Sequence, residues 1–279
     1  MTPENRIPQS TWGTDPATVR ALRLSRTQKA YEGRDLITAL IEAEEILEED
    51  PDDLNALEVL GNIELDFVHG REAVIIYEQL LELCPDKPAY LSGMTVARFL
   101  NVEFETAVEM GKRALGLDPG LAEAAAYTGL ALEHLKMPKE GLRYLQMAAR
   151  LAPTRFPLPV RESKIPWRRL VAEALAGIPE ELKFFFTKVP LVWHHLPDAS
   201  VLRALDPPIT PLVLALYEGI PPEEGDPTEI LPRSMRIFRG NACRFGHDPA
   251  QLIDDLTDGL IAEAADWTGI YPESEGEEE

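Results

Sequence analysis

Four prolines stand 34 residues apart, at Pro51, Pro85, Pro119 and Pro153. A period of this length is typical of a unit built from two antiparallel helices, and such units stack side by side along a chain. Because each unit buries its apolar face only against its neighbours, several units are needed to form a stable fold. The spacing therefore predicts a helical solenoid in the first half of the chain.

Small and apolar residues recur at fixed distances before each proline. Twelve residues before it, where the two helices of a unit cross, the chain has Ala39, Ala73, Ala107 and Gly141. Five residues before it, the chain has Ile46, Leu80, Ala114 and Ala148. The pairs Leu60-Gly61 and Thr128-Gly129 allow close packing in the first helices of their units. Together these residues resemble the tetratricopeptide repeat (TPR) family, most closely in repeats two to four.

The resemblance implies about four repeats over residues 20–153. The expected helices are 20–33, 36–49, 54–67, 71–83, 88–100, 104–117, 122–135 and 138–151. In TPR proteins the first helix of each repeat lines a concave groove, and the groove positions implied here are Asn55, Glu58, Asn62, Asp66, Phe99, Tyr127, Leu130, Glu133 and His134. Acids, amides and aromatic rings favour a basic or amphipathic helix as the bound segment. For Phe99 and Tyr127, packing between helices is an equally good explanation.

Composition restricts the classes of partner. The 279 residues include 27 basic and 48 acidic residues, which give a formal net charge of −21. This charge disfavours nucleic acid and anionic membranes as partners and favours basic proteins. No apolar run approaches the roughly 20 residues that span a bilayer. Cys84 and Cys243 form no metal-binding pair, so we expect reduced thiols, a cytoplasmic location and no cofactor.

The character of the sequence changes after Pro153. Residues 154–165 contain prolines and interrupt the repeat, which indicates a linker. The segments that follow predict two helices divided at 177–179, strands within 189–197, 211–222 and 234–240, and an amphipathic helix over 248–268. The sequence thus predicts a mainly α chain with an N-terminal arm (1–19), a TPR-type α–α solenoid (20–153), a small α+β domain (166–271) and an acidic tail (272–279).

This second half resembles the minimal zincin-like metallopeptidases over roughly 165–271. The resemblance depends on the helix-pair residues Leu175, Ile178, Pro179, Glu180 and Glu181, on LALYEGIP (214–221), on MRIFRG (235–240) and on the last helix. In that family the last helix carries His-Glu-x-x-His, and a glycine and a third acidic ligand follow. In this chain Ala262 stands at the first histidine, Glu263 at the general base and Asp266 at the second histidine. Gly269 fits the turn glycine, and Pro272 falls near the third ligand.

The substitutions remove the chemistry that the resemblance implies. A catalytic zinc needs about three protein ligands, and of the three positions only Asp266 has a side-chain donor. Without the metal, the attacking water keeps a pKa near ~15.7 instead of ~7. At ~1.36 kcal/mol per pKa unit, the loss is on the order of 12 kcal/mol. A general base such as Glu263 typically contributes ~10²–10⁴-fold and does not recover this loss. We therefore expect no bound metal and no peptidase activity.

The sequence as a whole indicates an adaptor or regulator whose solenoid recruits a protein partner. The zincin-like domain then serves as a cap for the last repeat or as a second binding surface. For the second role, the resemblance places the strand with Tyr217 and Glu218 at the substrate cleft of the metallopeptidase fold, where the strand can pair with an extended peptide. The alternative is a metal-dependent peptidase with a non-standard ligand set, formed by Glu263, Asp266 and one of His194, His195 or His247.

Overall fold

The structure is a computed structural model that describes residues 16–161, 164–219, 230–245 and 248–272. Of the predicted N-terminal arm, residues 1–15 lie outside the described residues, and residues 16–19 belong to the first helix instead. Of the predicted acidic tail, only residue 272 is described. In the described parts of the chain, no helix is long and apolar enough to cross a membrane.

Eight helices fill the first half in antiparallel pairs. They are α1 (Pro16–Glu32), α2 (Leu36–Glu49), α3 (Leu54–Asp66), α4 (Gly70–Leu83), α5 (Pro88–Leu100), α6 (Phe104–Leu117), α7 (Ala122–His134) and α8 (Pro138–Leu151). Each helix packs against the next one in sequence, and the first helices of successive pairs also contact one another. The predicted solenoid is confirmed. All bounds agree within one residue except the start of α1, which comes four residues before the predicted one.

The turns inside the four repeats share one backbone geometry. Arg34, Val68, Val102 and Lys136 follow the first helices at 34-residue intervals, with φ between 60° and 64°. The next N–H donates to a carbonyl five residues earlier, as His69 does to Glu64 at 2.8 Å, which is the Schellman arrangement that ends helices. A β-branched valine disfavours positive φ. The packing of each helix pair, rather than local preference, therefore imposes the turn at Val68 and Val102.

Close approach of two helices explains the glycine pair in the last repeat. A Cβ atom added at Gly141 would lie 2.7 Å from the carbonyl oxygen of Gly129, and one added at Gly129 would lie 2.9 Å from that of Gly141. Real Cβ atoms do not approach backbone oxygens so closely. The small residues that the repeat pattern requires therefore lie where α7 crosses α8.

The second half is a small α+β unit. It contains α9 (Trp167–Ala176), α10 (Glu180–Lys188), β1 (Leu191–His194), α11 (Ala199–Leu202), β2 (Ala215–Tyr217), β3 (Met235–Phe238), α12 (Arg239–Phe245) and α13 (Pro249–Thr268). The strand order is β1-β3-β2, with β1 parallel and β2 antiparallel to β3. The predicted helix pair and last helix are confirmed. The strands are shorter than predicted, and the sequence pattern did not indicate α12.

Hydrophobic packing holds the sheet against the helices. Leu252, Leu256 and Leu260 of α13 pack against Met235 and Ile237 of β3 in one buried cluster. Asp248 caps the start of α13 by accepting from the N–H groups of Ala250 and Gln251. Gly269 ends the helix with φ 69°, a conformation that glycine adopts without steric cost. The glycine predicted at the turn thus has this structural role.

The two halves share a hydrophobic core. Phe99 and Leu130 of the solenoid belong to the same buried cluster as Leu202, Leu216 and Phe238 of the second half. A shared core couples two units mechanically, whereas units joined only by a linker move independently by default. The zincin-like region is therefore packed onto the solenoid.

Candidate functional site

The inner surface of the solenoid is built by its first helices, α1, α3, α5 and α7. Four of the predicted groove residues lie on successive turns of α3: Asn55, Glu58, Asn62 and Asp66. Asn55 and Asp66 are exposed, and Glu58 and Asn62 are half-buried. This N-terminal part of the groove, which we call the open groove, is accessible from solvent.

A cavity of about 270 Å³ lies within the open groove. Its walls include Glu58, Asn62, Tyr77, Tyr90, Glu123 and Arg155. The hydroxyl of Tyr77 donates to the side-chain oxygen of Asn62 at 2.7 Å. Arg155 pairs with Glu123 and lies 5.0 Å from the ring centre of Phe156. The open groove thus combines carboxylates with tyrosine rings. It already holds two guanidiniums: Arg155 pairs with Glu123, and Arg34 pairs with Asp66 at 3.0 Å.

The carboxylates give the open groove a negative potential. Burial and then the charge of Glu58 raise the pKa of Tyr90 to about 12. Burial and then the charge of Asp66 raise the pKa of Tyr31 to about 12 as well. Burial also raises the pKa of Glu123, although Arg155 opposes this effect. A concave surface with this field attracts cations.

The other predicted groove residues are covered by the chain itself. Phe99, Tyr127, Leu130, Glu133 and His134 lie on α5 and α7, where residues 197–214, between β1 and β2, cross the groove. We call residues 197–214 the covering segment. Its apolar side chains Leu202, Ile209, Leu212 and Val213 pack against the cluster that contains Phe99 and Leu130. Phe99 is fully buried, so its contact is with this chain and not with a partner.

Polar contacts fasten the same interface. Arg244 of α12 pairs with Glu133 and also donates to the side-chain oxygen of Asn241. Asn241 in turn donates to the carbonyl oxygens of Pro211 and Val213 at 2.8 and 2.7 Å. The covering segment is therefore connected to α7 through a continuous hydrogen-bond network.

His134 is also part of this interface. Its ring stacks on Phe104, with 4.3 Å between ring centres. Burial and then the nearby positive charge of Arg244 lower the pKa of His134 to about 3. At neutral pH this side chain is an uncharged part of the interface, which makes it unsuited to bind an acidic group of a partner.

Glu263 and Asp266, which the resemblance places at metallopeptidase positions, face the edge strand β2. The backbone N–H of Tyr217 donates to Glu263 at 2.9 Å, and its hydroxyl donates to Asp266 at 2.6 Å. Ala262 is exposed on the same helix. Because Glu263 accepts from the backbone of an edge strand, an added peptide strand does not find that N–H group available.

The second predicted cleft residue is also engaged within the chain. Glu218 pairs with Arg236 at 2.6 Å and accepts from the hydroxyl of Ser234 at 2.9 Å. These two hydrogen bonds, from Ser234 and then from Arg236, lower the pKa of Glu218. The carboxylate of Glu218 thus stabilises the junction of β2 with β3.

The structure does not bring His194 to Glu263 and Asp266, as one form of the predicted non-standard metal site requires. His194 ends β1, at the sheet edge opposite to Tyr217 and Glu263. In this register His194 lies two strands away from Tyr217, at ~4.8 Å per strand, and three residues further along the sheet, at ~3.3 Å per residue. His247 lies outside the described residues. Among the residues that are described, no three His, Cys, Asp or Glu side chains form a group suited to a metal ion.

The ionisation of Glu263 leads to a testable prediction. Burial raises the pKa of Glu263 from 4.5 to about 7, although the Tyr217 N–H favours the charged form. The pKa of Glu263 is therefore higher in the folded chain than in the unfolded chain. The protonated side chain makes its full contribution to the free energy of unfolding below pH ~4.5, and this contribution is lost as the pH rises through ~7. Glu263→Gln removes the buried charge, so we expect the variant to be more stable than the native chain at pH 8 by about 3 kcal/mol. Denaturant unfolding at pH 4 and pH 8 measures this difference.

The matched control for this prediction is Asp258→Asn, at an exposed position of the same helix. Both variants remove one negative charge, so any effect of net charge appears in both. Equal stability of Glu263→Gln and the native chain at pH 8 would show that the carboxylate is not destabilised by burial.

Several residues of these surfaces were not indicated by the sequence. Glu123 and Arg155 form part of the wall of the open groove. Leu202 and Arg244 cover the rest of the inner surface of the solenoid, at α5 and α7. The TPR spacing identifies positions on first helices, but Arg155 comes from the linker and Leu202 from the zincin-like region. Only their position in three dimensions reveals their roles.

Comparison with known families gives one match. The family model described as "Zincin-like metallopeptidase" matches residues 186–275, about a third of the chain. The matched interval contains all three strands of the sheet and α13, with Ala262, Glu263 and Asp266. The sequence pattern indicated residues 165–271, so the matched interval begins 21 residues later and ends four residues later. The C-terminal third of the chain is therefore similar to zincin-like metallopeptidases.

Several solved structures of MamA are also similar to the chain. "Crystal structure of MamA protein" aligns at 18% identity with a TM-score of 0.44, over 49% of this chain and 75% of that chain. "MamA 41-end from Desulfovibrio magneticus RS-1" aligns at 16% identity with a TM-score of 0.44, over 50% and 77%. These low values support no functional argument. No curated protein sequence matches the chain. The chain thus combines a TPR-type solenoid with a C-terminal region similar to zincin-like metallopeptidases.

Proposed function

We propose that this protein is a protein-interaction scaffold whose open groove binds a basic segment of a partner. The observation that supports this proposal best is the combination of Glu58, Asp66 and Glu123 with tyrosine rings on one concave surface. Lysine and arginine side chains gain charge attraction to carboxylates and cation–π contacts with aromatic faces in such an environment. The pairing of Arg155 with Glu123 illustrates the kind of contact that a partner's arginine makes there.

In this proposal the zincin-like region has no peptidase activity and caps the solenoid. The absence of donor atoms at Ala262 and Pro272 supports the first part, because a catalytic zinc is held by about three protein ligands. The shared core supports the second part, since the covering segment buries apolar side chains of α5 and α7. We do not favour β2 as a second peptide site, because the backbone N–H of Tyr217, which an added strand would need, already donates to Glu263.

Peptide binding to the full chain tests the proposal. The probe is a fluorescein-labelled amphipathic peptide of lysine and leucine, with a glutamate-and-leucine peptide of the same length for comparison. We expect saturable binding of the lysine peptide alone, weakened by salt because exposed charges are screened. The double variant Glu58→Gln with Asp66→Asn should weaken binding by about tenfold, since about 1.4 kcal/mol of attraction is lost.

A variant with the same charge change controls for net charge. Glu82→Gln with Glu109→Gln alters two exposed residues on the second helices α4 and α6, away from the open groove. We expect less than a roughly twofold change for this pair, because distant screened charges contribute little. If both double variants weaken binding equally, or if the glutamate peptide binds as well, the open groove is not the site.

A further inference from the structure

Arg155, in the linker that follows α8, contributes its side chain to the open groove. Its guanidinium pairs with Glu123, which lies 32 positions earlier in the first turn of α7. The N–H of Phe156 donates to the carbonyl oxygen of Ala152 at 2.8 Å, and the ring of Phe156 lies 5.0 Å from the guanidinium. The linker thus places one arginine in the wall of the cavity of about 270 Å³.

Glu123 has the surroundings of a carboxylate that binds a guanidinium. It lies near the N-terminus of α7, where the helix dipole stabilises a negative charge. Its side chain is 29% exposed, so water screens its charge less than that of a surface carboxylate. The rings of Tyr77 and Tyr90 line the same cavity. A guanidinium donates several N–H groups in one plane and stacks on aromatic rings, whereas an ammonium group is a compact point charge. The cavity therefore favours arginine over lysine.

The pairing of Arg155 with Glu123 is weak enough for another arginine to replace it. The side chain of Arg155 is 67% exposed, and exposed ion pairs usually change an equilibrium constant by less than about fivefold. The neighbouring Phe156 packs against the buried cluster that contains Ala124 and Ala148, which fixes this part of the linker without any contribution from Arg155. Release of Glu123 therefore requires only a rotation of the Arg155 side chain.

We infer that Glu123, with the rings of Tyr77 and Tyr90, forms an arginine subsite that Arg155 occupies until an arginine of the partner's segment displaces it. This inference rests on the proposed function, because it names the residue that the bound basic segment supplies. Glu58 lines the same cavity, so the partner's guanidinium meets a second carboxylate there. Arg155 is thus an internal competitor that raises the Kd of segments that use the subsite.

Peptide binding to the full chain tests the inference. The probe is a fluorescein-labelled amphipathic peptide of arginine and leucine, compared with the lysine-and-leucine peptide of the same length. We expect the arginine peptide to bind at least about threefold more tightly, because a guanidinium pairs with a carboxylate through two parallel hydrogen bonds. Arg155→Ala should lower the Kd of the arginine peptide by about fivefold, since the competing ion pair is lost. Glu123→Gln should raise it by about tenfold.

A double-substitution cycle separates competition from a general effect of charge. Competition requires Glu123, so adding Arg155→Ala to Glu123→Gln should change the Kd by less than about twofold. A general effect of the lost positive charge would persist in that background. Arg143→Ala is the matched control, because Arg143 is an exposed arginine on the second helix α8. We expect it to change the Kd by less than about twofold, since distant exposed charges are screened.

The possible outcomes distinguish this inference from the proposed function. Unchanged or weaker binding by Arg155→Ala, an equal gain in the Glu123→Gln background, or equal affinities for the arginine and lysine peptides would each overturn the arginine subsite. The proposed function survives these results if the lysine peptide binds saturably and Glu58→Gln with Asp66→Asn weakens it. No saturable binding of either peptide would overturn both.

Discussion

Replacing Arg244 with methionine is expected to destabilise the protein by about 3–5 kcal/mol, the usual cost of leaving one member of a buried ion pair alone. The side chains of Arg244 and Glu133 are only 12% and 19% exposed. Without the guanidinium, Glu133 is a poorly solvated charge, and Asn241 loses the donor that fixes its amide. Chemical denaturation of the purified variant measures the change.

A double-substitution cycle distinguishes pairing from loss of packing. Adding Glu133→Met to Arg244→Met removes the uncompensated charge, so we expect most of the lost stability to return. Arg143→Met is the control, because Arg143 is exposed on α8; substitutions of this kind usually change stability by less than about 0.5 kcal/mol. If the double variant is as unstable as Arg244→Met, the ion pair is not the cause of the destabilisation.

Replacing Leu202 with alanine is expected to cost about 2–5 kcal/mol, as for other large-to-small changes in a core. Leu202 is fully buried in the cluster that joins the covering segment to α5 and α7. The loss should appear in a single unfolding transition that includes both halves, because their apolar side chains form one core. Thermal unfolding followed by circular dichroism tests both the size of the loss and the number of transitions.

Leu205 provides the control for this second prediction. It lies three residues further along the covering segment, and its side chain is 59% exposed. We expect Leu205→Ala to change stability by less than about 0.5 kcal/mol. Similar losses for Leu202→Ala and Leu205→Ala, or two separate transitions in the native chain, would contradict a shared core.

The covering segment limits where a partner binds to the solenoid. In a simple TPR array the whole inner surface is available, and the sequence led us to include Phe99, Glu133 and His134 among the binding positions. The structure buries Phe99 in the shared core and pairs Glu133 with Arg244. In the proposed function, a partner's segment is therefore restricted to the open groove, where the predicted positions Glu58, Asn62 and Asp66 lie.

Two acidic residues of α13, in the region similar to zincin-like metallopeptidases, have a structural role. Glu263, which the resemblance places at the general-base position, accepts a hydrogen bond from the backbone of Tyr217. Asp266, at the second histidine position, accepts from the hydroxyl of the same tyrosine. These two hydrogen bonds hold α13 against β2.

The repeats could be predicted from the sequence because their determinants are local. Helix bounds follow from apolar periodicity and from turn residues, and each crossing requires a small residue at a fixed distance from a proline. Ala39, Ala73 and Ala107 are fully buried where this rule places them. Most contacts of a solenoid join elements that are neighbours in sequence, so a single chain carries enough information to identify them.

The sequence by itself determined the solenoid, together with the helix pair, the three strands and the last helix of the second half. Only the tertiary structure decided which part of the groove stays open. The contacts responsible join distant residues: Arg203 to Val102 across 101 positions, and Arg244 to Glu133 across 111. No local spacing encodes such contacts, because they depend on how two separately patterned units pack against each other.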